Sequence, residues 1–255
     1  MSLRLWAIMG SGRAIRATRS VERSLAVVTA AVAILLFGFV YIAEEILEGE
    51  TRGFDEVILL SLRTPGDTAR PIGPLWLQEM VRDFTALGST GVLTVVTLAA
   101  VGWLLISRKQ RMAGFVLLAV VGGVVLSSLL KIGFARPRPD LVPHAMAVFT
   151  LSFPSGHAMM SAVVYLTLGD LLARSQPSLA GKIYFLSLAL VLTLLVGCSR
   201  VYLGVHWPTD VLAGWAAGAS WALMCWLLMG HLQHAGLIEP ENVDAANEKD
   251  GSDER

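Results

Sequence analysis

Three short polar blocks interrupt an otherwise apolar chain, and between them they hold two histidines, an aspartate and several cations. The blocks are residues 131–139 (KIGFARPRP), 154–157 (PSGH) and 199–210 (SRVYLGVHWPTD). Lys131, Arg138 and Arg200 offer three positive charges, and guanidinium forks match phosphate oxygens in a bidentate way. Within PSGH, Pro154 stops any upstream helix and Ser155 suits an N-cap, which leaves the amides of Gly156 and His157 open at a helix start. Such an end favours phosphate through its free N–H groups and dipole. The glycine lets an anion approach the backbone closely. In the third block Pro208 suits the first helical position, so His206 falls just before a helix and Asp210 in its first turn. A carboxylate there can accept a hydrogen bond from one imidazole nitrogen and leave the other as an acceptor or nucleophile. No carboxylate cluster with metal-ligand spacing lies near these blocks, so neither a metal nor a cofactor is expected.

Six uncharged runs must position these blocks: residues 25–43, 84–107, 112–130, 158–173, 183–199 and 211–230. The 255-residue chain is 55% apolar and only 16% charged, which excludes an ordinary water-soluble core. About 20 residues cross the hydrocarbon, and the fourth run reaches that length only if residues 155–157 form its first turn. The reading is an all-α polytopic membrane protein with six transmembrane helices.

Charge sets the orientation. Arg4, Arg13, Arg16, Arg19 and Arg23 precede the first run, Arg108, Lys109 and Arg111 follow the second, and Arg174 and Lys182 follow the fourth. The positive-inside rule makes these segments cytoplasmic. The first run is too long for a cleavable signal and lacks a small-x-small site at its end, so it reads as a retained anchor. Counting spans then brings all three polar blocks to the outer face, where Val142 should be reachable and Gln110 should not.

The first outward connection, about 44–83, is rich in acids. Residues 54–62 have helical apolar spacing, and after a Pro/Gly-rich break a second short helix is expected near 75–82, both interfacial. Domain organisation reads as a basic cytoplasmic segment (1–23), one six-span unit (24–232, with the motif region 131–210) and an acidic tail (233–255) without ordered structure. Cys198 and Cys225 fall inside runs and read as buried apolar fillers. The seven tryptophans suit interfacial belts. A lone cation at a span end is commonly a snorkelling anchor, and Arg136 is given only a secondary contact. Asp170, His144, His231 and His234 are read as ordinary interfacial or solvated groups. It is the joint order of the three blocks that carries weight.

That order resembles a known family. Lys131, six residues, Arg138-Pro139, then Pro154-Ser155-Gly156-His157, then Ser199-Arg200, five residues, His206, three residues and Asp210 is similar to the tripartite motif of the type 2 phosphatidic acid phosphatase superfamily. The superfamily joins membrane lipid phosphatases and soluble vanadium haloperoxidases, and the six runs match the membrane branch. The resemblance implies that His206 attacks phosphorus to form a phosphohistidine and that Asp210 holds its tautomer. It implies that His157 protonates the leaving oxygen and then activates water. Lys131, Arg138, Ser155, Gly156 and Arg200 would bind the phosphate. The implied activity is metal-independent hydrolysis of a lipid phosphomonoester or diphosphate, of the phosphatidic acid or phosphatidylglycerophosphate type, at the outer face of a bacterial inner membrane. An undecaprenyl diphosphate phosphatase is the alternative. A non-hydrolytic lipid-phosphate binder or transporter leaves His206 and Asp210 without a task, and a haloperoxidase does not fit six spans. The expected partners are a lipid phosphate substrate and membrane lipids, with no nucleic acid. The sequence leaves the oligomeric state open.

Overall fold

A computed structural model describes residues 3–142 and 150–238, with backbone alone for 3–24 and 234. His144 and the acidic tail from 239 lie outside the described residues. The architecture is helical: α1 (Leu3–Glu48), α2 (Arg52–Ser61), α3 (Leu75–Ala86), α4 (Thr90–Ile106), α5 (Gln110–Phe134), α6 (Gly156–Ser161), α7 (Thr167–Arg174), α8 (Leu179–Tyr202) and α9 (Pro208–His234). Among the described residues five segments are long and apolar enough to cross a membrane: Leu25–Glu48, Gln110–Phe134, Gly156–Arg174, Leu179–Tyr202 and Pro208–Gln233. The sixth is the pair α3–α4, bent by 50°.

That bend corrects one expectation. Run 84–107 is not one straight helix, because its first residues finish α3 and 17 residues form α4. Ser89 restarts the helix by accepting a hydrogen bond from the Val92 amide at 3.4 Å. Gly88 at the corner is required by space, since a Cβ there would lie 2.3 Å from Val196 Cγ1 and 3.4 Å from the His157 ring. The two short helices of the first connection are present as α2 and α3. Between them the Pro/Gly-rich stretch is a small antiparallel hairpin, β1 (Arg63–Thr64) and β2 (Asp67–Pro71), turned through Gly66 at φ +83°. In the fourth span a π-helical turn, Ala162–Leu166, joins α6 to α7.

Small residues bring the central helices together. Gly214 and Gly218, one turn apart on α9, face α6 so closely that a Cβ on Gly214 would meet the Ser155 carbonyl at 2.8 Å and one on Gly218 the Met159 carbonyl at 2.4 Å. Without a hydrophobic force between helices in lipid, close backbone approach of this kind is what holds spans together. Two tryptophans correct the belt reading. The Trp215 ring fills the space over Gly197 and its Nε1 donates to the Thr193 carbonyl at 3.1 Å. Trp221 does the same over Gly122, donating to Ala119 at 2.8 Å. A buried indole needs a partner for its N–H, and a helix carbonyl supplies it.

Two further expectations change. Cys198 is exposed rather than buried, lining an open cavity with residues of α2, α3 and α9, whereas Cys225 is buried as expected. Val142 is only 3% exposed, packed with Leu59, Ala158, Val201, Trp207 and Val211. Asp140, two residues earlier, is exposed.

Candidate active site

The site is assembled where α5 ends and α6 and α9 begin. Lys131 lies in the last turn of α5, and its Nζ donates to the carbonyls of Leu151 and Pro154, both at 2.9 Å. Ala135 then ends the helix in the left-handed conformation, φ 46°. The chain turns back and brings Arg138 over the third block. Its guanidinium donates to the carbonyl and hydroxyl of Thr150 at 2.7 and 3.1 Å and to the Val205 carbonyl at 2.5 Å, and reaches His206 Nε2 at 3.2 Å. Lys131 and Arg138 thus meet neutral oxygens rather than a carboxylate among the described residues. Burial pushes the Arg138 guanidinium below its ordinary value, opposed only by Asp210. An arriving anion removes that cost.

His206 sits in the loop before α9 and is 1% exposed. Its Nδ1 faces Asp210 Oδ2 at 3.4 Å, a long contact that also brings in the Ser152 hydroxyl at 3.4 Å. Burial drives the imidazole down to about 3, with Asp210 working the other way, so the ring is neutral in its resting state. The two ring nitrogens therefore differ: one turned to a carboxylate, the other to the cations. Asp210 Oδ2 also accepts from Ser152 Oγ and from the Trp207 amide, the latter at 3.0 Å, which is half of a capping box at the start of α9.

The PSGH block lies directly beneath. Gly156 opens α6, and a Cβ there would touch Lys131 Cε at 3.4 Å. The Ser155 amide donates to the Asp210 carbonyl at 2.9 Å, tying the start of α6 to the first turn of α9. Ser155 occupies the N-cap as expected, but its hydroxyl does not cap. Oγ is buried and finds no partner among the described residues. An unsatisfied buried hydroxyl at a helix start is suited to an incoming acceptor. His157 stands in the first turn of α6, close enough to Arg200, His206, Arg138 and Lys131 to feel their charge. Arg200, on the last turn of α8, donates to Thr85 Oγ1 at 2.9 Å. All eight residues named from the sequence are brought to one place.

The sequence reading missed the backing of the site. Arg136, given only a secondary contact, lies behind Asp210. It donates to Asp210 Oδ1 at 2.7 Å and Thr209 Oγ1 at 2.9 Å, and on its other arm to Asp55 Oδ2 at 2.8 Å and Thr51 Oγ1 at 3.2 Å. Asp55, fully buried, also accepts from the Thr209 amide at 2.9 Å and hydroxyl at 2.7 Å. Ser152, Asp55 and Thr85 lie outside the three blocks, and Thr209, inside the third, is given no role by the sequence. The one sequence signal is the pairing of Arg136 with Arg138, which is more cation than one phosphate requires.

Two cavities meet the site. One of about 530 Å³ starts at Lys131, Gly156, His157 and Thr150 and runs between α4 and α5 as far as Leu98 and Leu117. The other, about 340 Å³, opens beside Arg136, Arg138, Arg52 and Trp207. Among the described residues no three His, Cys, Asp or Glu side chains converge as a metal site.

A neutral imidazole backed by a carboxylate, facing a cluster of cations at the ends of membrane spans, defines a membrane-embedded hydrolase of phosphoric esters. The comparisons with known proteins agree. The profile of the PAP2 superfamily matches residues 112–233. Phosphatidylglycerophosphatase B of Bacillus subtilis is 36% identical over 146 residues, covering 56% of this chain and 70% of that protein. An undecaprenyl-diphosphatase of Sulfolobus acidocaldarius is 35% identical over 127 residues, covering 46% and 55%. The crystal structure of a transmembrane PAP2 type phosphatidylglycerolphosphate phosphatase from Bacillus subtilis superposes with a TM-score of 0.70 at 29% identity, over 79% of this chain and 96% of that one. The chain belongs to the PAP2 superfamily, in its membrane lipid phosphatase branch.

Proposed function

We propose that the six-span unit, residues 24–232, hydrolyses a lipid-borne phosphomonoester or diphosphate through a phosphohistidine on His206. The observation that carries this is the two-sided contact of the His206 ring: Nδ1 turned to Asp210, Nε2 turned to Arg138 at 3.2 Å. A phosphoryl group held by Arg138 has its phosphorus in front of Nε2. Attack forms the N–P bond as the P–O bond to the lipid side breaks. His157, protonated once the phosphate anion is bound beside it, gives its proton to the departing oxygen and is left neutral. Water then attacks phosphorus, the N–P bond breaks, His157 accepts the water's proton, and inorganic phosphate leaves. Lys131, Arg138 and Arg200, with the Ser155 hydroxyl and the Gly156 amide, carry the charge on the phosphoryl oxygens. The long cavity between α4 and α5 suits a tail that stays in hydrocarbon while the headgroup reaches Lys131.

A phosphatidylglycerophosphate-type monoester is the first substrate to test, given the Bacillus subtilis matches in sequence and in structure; an undecaprenyl diphosphate is the second, given the Sulfolobus relative. The site faces the outer side of a bacterial inner membrane. The Arg108–Arg111 cations lie at the start of α5 and Lys131 at its end, so charge bias and site fall on opposite sides.

Brief mixing with substrate labelled in the terminal phosphate, followed by alkaline quench, should leave acid-labile label on the wild-type protein and none on His206→Ala. His206→Ala should also lower turnover by about 10³-fold or more, as loss of a nucleophile does. Label retained on His206→Ala would sink the assignment.

A further inference from the structure

On the reading above, Asp210 must present one oxygen to His206 and stay ionised while buried. Its two oxygens are used differently. Oδ2 takes Ser152, the Trp207 amide and the His206 contact, whereas Oδ1 takes the Arg136 guanidinium at 2.7 Å. Arg136 is in turn held by Asp55 and Thr51, and Asp55 grips the Thr209 amide and hydroxyl at the start of α9. Thr51 and Asp55 do not belong to the spans that carry the motifs. They come from α2 and the residue before it, in the connection that follows the first span.

We infer that Arg136 and Asp55 are positioning residues for the hydrolysis, and that α2 is docked onto the site to hold Asp210 from behind. The argument rests on geometry and charge. Four acceptors surround one guanidinium: Thr51 Oγ1, Asp55 Oδ2, Thr209 Oγ1 and Asp210 Oδ1. A planar fork meets such a set, whereas a single ammonium cannot reach it. Asp55 and Asp210 are both fully buried, and Arg136 forms an ion pair with each, at 2.8 and 2.7 Å. With Arg136 neutralised, Asp210 Oδ1 loses the guanidinium that holds it at 2.7 Å. An Asp210 free to turn no longer fixes the His206 tautomer. Arg136 itself does not touch the ring nitrogen that attacks, since it is Arg138 that lies at Nε2. Its influence passes through Asp210.

The test uses the full-length protein in detergent micelles with a lipid phosphomonoester, measuring kcat and KM separately alongside the thermal midpoint. Arg136→Gln should lower kcat by about 100-fold and Asp55→Asn by about 10-fold, the range for groups that orient a functional residue, with KM within about twofold of wild type. Arg136→Lys should recover part of the loss, because the charge remains. The discriminating readout is the Asp210→Asn background. There Asp55→Asn and Arg136→Gln should each cost less than about threefold more, because the group they position is gone. Full multiplication of the losses, or an effect confined to KM, overturns the inference. Should Arg136→Gln give no folded protein, Asp55→Asn and Thr51→Val decide the matter by the same comparison. A wild-type protein that releases no phosphate overturns the phosphatase reading and this inference together. An active wild type with an unchanged kcat in Asp55→Asn and Arg136→Gln overturns this inference alone.

Discussion

The first span and the fourth differ in a way that hydropathy alone does not suggest. Leu25–Glu48 is the most apolar of the five unbroken spans, yet only 6% of its apolar window is buried within the protein. Gly156–Arg174 is the least apolar, and 56% of its window is buried. Lipid asks only that a helix be apolar, so Ile34 and Phe37 of α1 stand exposed to it at 70% and 73%. The protein interior asks for close approach and for polar groups in partnership. Hence α6 carries Ser155, Gly156 and His157, and α9 carries Gly214, Gly218 and Asp210. In this fold the two least hydrophobic spans are also the two most buried, because close approach and partnered polar groups lower their hydropathy.

The largest test of that contrast is Asp210→Asn. It keeps the shape of a buried side chain and removes the charge that fixes His206, and it should lower kcat by about 10²–10⁴-fold, as wrong-tautomer substitutions do. An unchanged kcat would detach α9 from the chemistry. Gly218→Val comes next and reads packing rather than catalysis. Its first added carbon already lies 2.4 Å from the Met159 carbonyl. We expect a loss of about 3 kcal/mol or failure to fold, seen as a lowered thermal midpoint in detergent.

Gly156→Ala separates the two roles of α6. The added methyl meets Lys131 Cε at 3.4 Å and Ser127 Oγ at 3.8 Å, both ordinary contacts, so the midpoint should hold while the anion site is crowded, with a fall in kcat/KM of about 10-fold. The lipid-facing side should answer with almost nothing: Phe37→Leu should change the midpoint by no more than about 0.5 kcal/mol equivalent and leave turnover alone. A large effect there would mean that α1 has an unrecognised partner on its exposed face. Chelation should have no effect at all, because the charge is supplied by side chains. Activity in excess EDTA should match the control, and vanadate should inhibit it as a mimic of the five-coordinate transition state.

The same contrast governs orientation. With Cys198 and Cys225 replaced, a cysteine at the exposed Asp140 should react with an impermeant thiol reagent added outside intact cells. One at the exposed Gln110 should react only after permeabilisation. The reverse pattern would turn the site to the cytoplasm.

The sequence by itself determined the spans, apart from the break at Gly88–Ser89, and the eight residues that the structure brings together at the candidate site. Those features are local or ordered along the chain: apolar length, caps such as Pro208, and cations at fixed spacing from Lys131 to Asp210. Nothing local marks Asp55 as the acid that holds Arg136, or Ser152 as a donor to Asp210, since these partners are separated by many residues and share no periodicity. Nor does spacing reveal that Trp215 and Trp221 lie over glycines on α8 and α5 rather than at a membrane belt. Val142 and Cys198 show the same limit from the other side, because burial is decided by which neighbour arrives and not by residue type. A phosphate site is written in residue types because its chemistry leaves few choices. The groups that hold Asp210 in place are written only in space, because many side chains can offer a hydrogen bond and only tertiary contact selects which one does.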